Sequence, residues 1–191
     1  MPRWPEDSRR RLVDAAISQF VDRGYAESTV ENIALAAGVT PRTFFRYFAD
    51  KEEVLFADDD DLLPLLIGVI AEDTGPVRAD VQMRKALGTL AAAVESRRDL
   101  LKRRQRVIDS HIALSGRELA KQARWQKDVT TALIGRGFPP GQSEILAAIG
   151  FALFRQCLHA WLADDGGPGL EARVGDALSG VRSVLDVRSS R

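Results

Sequence analysis

The sequence predicts an all-α protein, and three observations carry that prediction. Apolar residues recur at helical spacing along nearly the whole chain, no segment sustains period-two alternation, and breaks rich in glycine, proline or serine divide the 191 residues into about nine helical stretches. Hydrophobic residues make up 45% of the chain, enough to bury a core, and charged residues 28%, which argues against disorder. The formal net charge is +0, so a generally basic coat is excluded and any binding to a polyanion needs a local positive face.

Each helix has its own justification. Ser8 can cap a first helix that runs to about Arg23, with Leu12, Ala15, Ala16, Ile17, Phe20 and Val21 at helical spacing and Gly24 at its end. A short second helix carries Val30, Ile33, Ala34 and Ala37. Ser28 or Thr29 can cap it, and the Ser28–Glu31 spacing of a capping box favours Ser28. Gly38 makes the turn, Thr40 caps the third helix, and Pro41 takes its first position, where a missing N–H costs nothing. Asp50 should cap a fourth helix that passes the acidic run Asp58–Asp61 towards Ile70, with Pro64 kinking or splitting it. Asp73-Thr-Gly-Pro76 reads as a loop, and further helices are expected at 77–95, 97–110, 115–135, 142–163 and 170–187. The natural boundary falls near Asp50, giving a three-helix domain over 1–50 and a larger helical domain over 51–191.

The single cysteine, Cys157, cannot form an internal disulfide, which fits a reducing cytoplasm. The N-terminal MPRWPEDSRRRL lacks the apolar centre of a signal peptide. The longest apolar runs, 62–70 and 145–153, fall short of the ~20 residues of a membrane span, so no membrane association is expected.

Residues 28–51, STVENIALAAGVTPRTFFRYFADK, have the pattern of a helix-turn-helix that offers its second helix to the DNA major groove. With Pro41 first in the helix, Arg42, Thr43, Arg46 and Tyr47 can share one face. Phe44 and Phe48, four apart on the other face, should pack on Ile33, Ala37 and Phe20. Arg42 suits bidentate reading of guanine, and Thr43 a phosphate or a thymine methyl. Phe45 can offer an apolar contact, Tyr47 and Lys51 can reach phosphates, and Thr29 and Thr40 sit at helix N-termini where an anion is favoured. Arg3, Arg9, Arg10 and Arg11 form a second basic cluster able to reach a phosphate or an adjacent minor groove.

Thr29-Val30-Glu31-Asn32-Ile33-Ala34, Ala37-Gly38-Val39-Thr40, Thr43-Phe44-Phe45-Arg46-Tyr47-Phe48 and Lys51-Glu52-Glu53-Val54-Leu55, with Ala15-Ala16, Phe20 and Gly24-Tyr25 upstream, resemble the DNA-binding domain of the TetR family of bacterial transcriptional regulators. The specific resemblance covers about residues 8–57. It implies a homodimer, most simply a repressor, that binds a palindromic operator and is released by a small ligand. It also implies that Thr29, Arg42, Thr43, Phe45, Tyr47 and Lys51 sit where the family touches DNA. Position 45 is often tyrosine in such proteins, and Phe45 lacks that hydroxyl.

The second domain then needs a dimer face and, usually, a cavity. Leu170, Val174, Leu178, Val181 and Leu185 form a stripe suited to helix-on-helix packing, while Ile149, Leu153 and Trp161 lie on a helix that is apolar over more than one face. Two copies of this helix pair would make a four-helix interface. A small apolar or amphipathic effector would be lined by Ile108, His111, Trp125, Val129, Phe151 and Phe154. The basic run 97–106 reads as the solvated face of an amphipathic helix, and the acidic run 58–61 as solvated carboxylates. No cofactor is expected. An enzyme is disfavoured because Cys157 with His159, and Asp109 with His111, are two apart on a helix and do not face each other. The remaining alternative is a helical interaction protein, or an activator without a small ligand.

Overall fold

The structure, a computed structural model, describes residues 5–57, 59–72, 75 and 77–185. Arg3, Asp58 and most of the loop expected at 73–76 lie outside the described residues, as do the side chains of Asp59, Asp60 and Leu185. Among the described residues there are nine α-helices and no strand, as the periodicity predicts.

α1 (Pro5–Arg23) buries Leu12, Ala16, Ile17 and Phe20 along one stripe and ends before Gly24. α2 (Val30–Ala36) is capped by Thr29, whose Oγ1 accepts the Asn32 amide at 3.2 Å. This corrects the choice of Ser28. That side chain is buried, and its hydroxyl donates to the Gly24 carbonyl at 2.8 Å, so it is spent on the preceding turn. Gly38 (φ +67°) supplies the left-handed turn between the short helices. α3 (Pro41–Tyr47) opens as predicted, with Thr40 Oγ1 accepting the Thr43 amide at 3.2 Å and Pro41 at its first position.

The single fourth helix expected from Asp50 is not formed. Asp50 Oδ1 does accept the Glu53 amide at 2.7 Å, but it caps a 3-10 turn, Glu53–Phe56. Val54, Leu55, Phe56 and Ala57 are all buried. A surface α-helix buries a stripe, not four consecutive residues, so the tighter turn resolves the conflict. α4 (Asp59–Ala71) follows as a separate helix, and Pro64 does not split it. α5 (Ala79–Glu95), α6 (Arg98–Asp109), α7 (Ile112–Gly135), α8 (Pro140–Ala163) and α9 (Leu170–Leu185) complete the chain. The break before α7 falls at Ser110-His111, and the helix runs straight through Ser115-Gly116, where a break was expected.

The helices form two compact units. Unit 1 joins the residues up to Asp59 with Asp99–Leu119, and unit 2 joins 60–98 with the residues from Ala120 onward. The structural boundary therefore differs from the expected cut at residue 50. Three short helices enclose little apolar volume, and Val107, Ile108 and Leu114 complete the core around Leu12, Ile17, Phe20, Ile33, Phe44 and Phe48. In unit 2, α5 packs against α8 and α9, over an interior that includes Met83, Leu87, Leu90, Ala147, Phe151 and Val174. Gly150 permits the α5–α8 approach, since a Cβ there would meet Leu87 and Met83 at 3.2–3.3 Å.

Among the described residues, α8 alone is long and apolar enough to cross a membrane by length and composition; a third of that stretch is buried in the protein. Its packing on α5 and α9 accounts for apolar positions on more than one side. Two residues expected at a dimer face are core residues of the chain itself. Val174 is buried, and Trp161 is buried with the Arg98 guanidinium 5.1 Å from its ring centre. Ile149, Leu153, Leu178 and Val181 are only half-buried.

Phe44 is fully buried and its neighbour Phe45 is 57% exposed. Phe44→Ala should therefore cost about 3–5 kcal/mol in denaturant unfolding. Phe45→Ala should leave stability within about 0.5 kcal/mol of the wild type.

Candidate nucleic-acid interface

α3 has seven residues and two opposed tasks. Phe44 and Phe48 point into the core, which turns Arg42, Phe45 and Arg46 outward and leaves Thr43 and Tyr47 half-exposed. Arg42, Thr43, Phe45 and Arg46 line one open depression. The Thr43 and Thr40 hydroxyls lie 3.1 Å apart, which steadies the helix start. Arg46 donates to the Tyr47 hydroxyl at 2.9 Å, and its guanidinium lies 4.8 Å from that ring's centre. These two side chains therefore hold each other at the end of the helix.

Lys51 is engaged more deeply than its sequence position suggests. Its Nζ donates to the carbonyls of Tyr25 (2.9 Å) and Ser28 (3.1 Å) and sits 4.2 Å from the Tyr25 ring centre. Two of its three donors thus tie the corner after α3 to the loop before α2, leaving at most one for a phosphate. Thr29 keeps its O–H available while its oxygen accepts the Asn32 amide. The N-terminal arginines are largely built into unit 1. Arg9 donates to the Ala57 carbonyl, Arg11 to the Ala37 carbonyl at 2.8 Å, and Arg10 pairs with Asp7 at 3.3 Å on the surface.

The corner after α3 carries a polar network. The Tyr25 hydroxyl donates to Glu52 Oε1 at 2.6 Å, and its ring meets Phe20 and His111 edge-on, with centres 5.3 and 4.9 Å away. Burial and the bond to Glu52 hold the Tyr25 phenol far above its ordinary range. Arg117, from the first turns of α7, donates to Asp50 Oδ1 (3.0 Å) and Oδ2 (2.9 Å) and to Glu52 Oε2 (3.0 Å). Burial alone would raise the Asp50 carboxyl, but the bonds from Arg117 and the Glu53 amide outweigh it and hold Asp50 below its usual value.

Arg104 was expected on a solvated face and is buried instead. Its Nε donates to the Leu55 carbonyl, its Nη1 to Glu118 at 3.2 Å, and its guanidinium lies 5.2 Å from the Phe56 ring centre. Gln105 also donates to Glu118, at 3.3 Å. Neither Arg104 nor Arg117 carries a local signal in the sequence, because their partners lie 14 to 67 residues away.

The six expected effector liners do not fall together. Ile108 is sealed in the core of unit 1, and His111, with Ser110 Oγ 2.8 Å from its Nδ1, packs on Tyr25 in the same unit. Trp125, Val129, Phe151 and Phe154 belong to unit 2, where Val129 is fully buried and Lys121 lies 5.2 Å from the Trp125 ring centre. A largely apolar groove of about 380 Å³ lies instead along α8 and α9, lined by Leu153, Gln156, Cys157, Ala160, Arg173, Ala177, Gly180 and Val181. Burial pushes the Cys157 thiol up, which keeps it protonated and unreactive.

Because Asp50 is held low, its carboxylate stabilises the fold at pH values above the unfolded carboxyl's, about 4. That contribution is lost as pH falls through the lowered folded value. Wild-type protein should therefore melt higher than Asp50→Asn at pH 7, and the gap should close as the melts are repeated towards pH 2–3.

The model for bacterial regulatory proteins of the tetR family matches residues 12–57, which span α1 to the 3-10 turn. A Mycobacterium tuberculosis transcriptional regulator named for mycofactocin biosynthesis, MftR, is 28% identical over 97% of this chain and 98% of its own length. The regulator TcmR of Streptomyces glaucescens is 53% identical over 47 residues, 25% of this chain and 21% of TcmR. Among solved structures, the TetR-family repressor FadR of Thermus thermophilus, in complex with lauroyl-CoA, superposes with a TM-score of 0.62. It shares 23% identity and covers 95% of this chain and 97% of its own. The motif, the segregated α3 and these likenesses agree: the chain belongs to the tetR family of bacterial regulatory proteins and is a DNA-binding transcriptional regulator.

Proposed function

We propose that the chain is a cytoplasmic repressor that binds a palindromic operator as a homodimer and leaves it when a small apolar or amphipathic effector binds. The observation that carries the reading of DNA is the segregation of α3, with both core phenylalanines inward and Arg42, Thr43, Phe45 and Arg46 around one outward depression. Arg42 takes the base-reading role, as a fork that matches guanine's two major-groove acceptors. Thr43 and Arg46 take phosphates, Phe45 an apolar base edge, and Tyr47 orients Arg46. Lys51 and Thr29 add phosphate contacts from the corner and from the start of α2, and Thr40 holds the start of α3 in register.

The homodimer is supported by half-exposed Ile149, Leu153, Leu178 and Val181 on the last two long helices, two of which border the apolar groove. Two-fold symmetry in such a dimer would be mirrored by a palindromic site. The effector class is supported by the lauroyl-CoA complex of the Thermus relative. Repression follows from pairing an operator with a ligand that ends binding.

Selection of bound sequences from random duplex DNA by the purified protein tests this reading. A palindromic site with a fixed half-site spacing is expected, and no enriched sequence would overturn it. On the enriched site, Arg42→Ala should lose about 1–3 kcal/mol of discrimination at one base pair. Arg46→Ala should weaken all sequences alike and flatten the salt dependence by about one unit of slope. Wild-type affinity and slope in both variants would contradict the roles given to these side chains.

A further inference from the structure

We infer that Arg117 is a positioning residue for DNA binding: from α7, its guanidinium fixes the Asp50–Glu52 corner that sets the reading helix, although it touches no DNA itself. The inference rests on the reading of α3 proposed above and adds a residue well outside the matched stretch 12–57.

The corner begins two residues after α3 ends and bears three carboxylates, Asp50, Glu52 and Glu53. Each has a structural task. Asp50 caps the 3-10 turn, Glu53 accepts the Ala49 amide, and Glu52 accepts the Tyr25 hydroxyl. Arg117 reaches two of the three through contacts of 2.9–3.0 Å, and its guanidinium lies 5.8 Å from the Phe56 ring centre. Arg104 grips the same turn through the Leu55 carbonyl and lies 5.2 Å from the same ring. Lys51, in the same corner, holds the Tyr25 and Ser28 carbonyls directly before the cap of α2. The end of α3 and the start of α2 are thus fastened to one corner, and the corner is fastened to α7.

Two physical consequences follow. A planar guanidinium with five donors can hold both carboxylates at once, whereas an ammonium acts as a point charge. Loss of Arg117 would also leave two uncompensated carboxylates beside a helix that must approach phosphates, adding repulsion to loosened geometry. α7 is one continuous helix from Ile112 to Gly135, so Arg117 stands on an element that contributes to both compact units. A roll or slide of α7 would draw directly on residues 50–52.

The test uses the full-length protein and the site enriched from random DNA. Arg117→Gln should bind that site about tenfold more weakly, with its base preferences unchanged, because no base contact is lost. Arg117→Lys should recover part of the loss. In a double-mutant cycle, Asp50→Asn should cost much less in the Arg117→Gln background than alone, which a general loss of fold would not produce. Amide exchange on DNA-free protein reads the positioning separately: Arg117→Gln should speed exchange in 40–56 and leave unit 2 unchanged. If Arg117→Gln fails to fold, Arg117→Lys carries the same cycle and the same exchange measurement. Wild-type affinity, or strictly additive losses together with unchanged exchange in 40–56, would overturn the inference. If the wild type enriches no sequence while exchange in 40–56 still rises, the reading of α3 falls and the placement of the corner by Arg117 stands.

Discussion

A seven-residue helix does not hold itself together in water, and α2 and α3 each have seven residues. Everything presented on α3 depends on tertiary burial of Phe44 and Phe48, because caps at Thr29 and Thr40 contribute only about 1 kcal/mol each. The burial is supplied from two distant parts of the chain. α1 brings Leu12, Ala16, Ile17 and Phe20, and the α6–α7 segment brings Val107, Ile108 and Leu114. The recognition surface is therefore the outer side of a core that includes residues far beyond the motif.

Charge in unit 1 follows the same logic. The chain has no net charge, yet the outward face of α3 concentrates Arg42 and Arg46. The other arginines of unit 1 mostly work inward. Arg11 satisfies the Ala37 carbonyl, Arg104 pairs with Glu118 in a nearly closed site, and Arg117 closes the corner at Asp50 and Glu52. A buried ion pair is costly to desolvate and costlier to break on one side, so Arg104–Glu118 contributes geometry more than net stability. That division leaves the α3 arginines as the ones turned outward, which suits specific reading better than diffuse attraction.

The parts of this architecture that were legible in the sequence are the local ones. Helical periodicity, the Gly38 turn, the Thr40-Pro41 start of α3 and the inward pair Phe44 and Phe48 depend on residues a few positions apart, and the structure shows each of them. The errors come where a local pattern has two solutions or a distant partner decides. Ser28 and Thr29 both fit a cap, and a 2.8 Å bond to Gly24 removes Ser28 from contention. Asp50 is a cap, as its position suggested, but four consecutive buried residues convert the helix after it into a 3-10 turn. Arg104 sits in a run of basic residues that looks solvated, and only Leu55, Phe56 and Glu118 reveal it as interior. Ile108 and His111 have the apolar and polar character of pocket liners, but both are consumed by packing in unit 1.

The central claim is that the DNA-reading helix is stabilised by a core shared with α6 and the start of α7, so that the motif does not stand alone. Expressing residues 1–59 by themselves and following their thermal unfolding by circular dichroism tests it most directly. Without Val107, Ile108 and Leu114 the fragment should show low helicity and no cooperative transition, while the full chain melts cooperatively. A fragment with native helix content and a sharp, reversible transition would contradict the account.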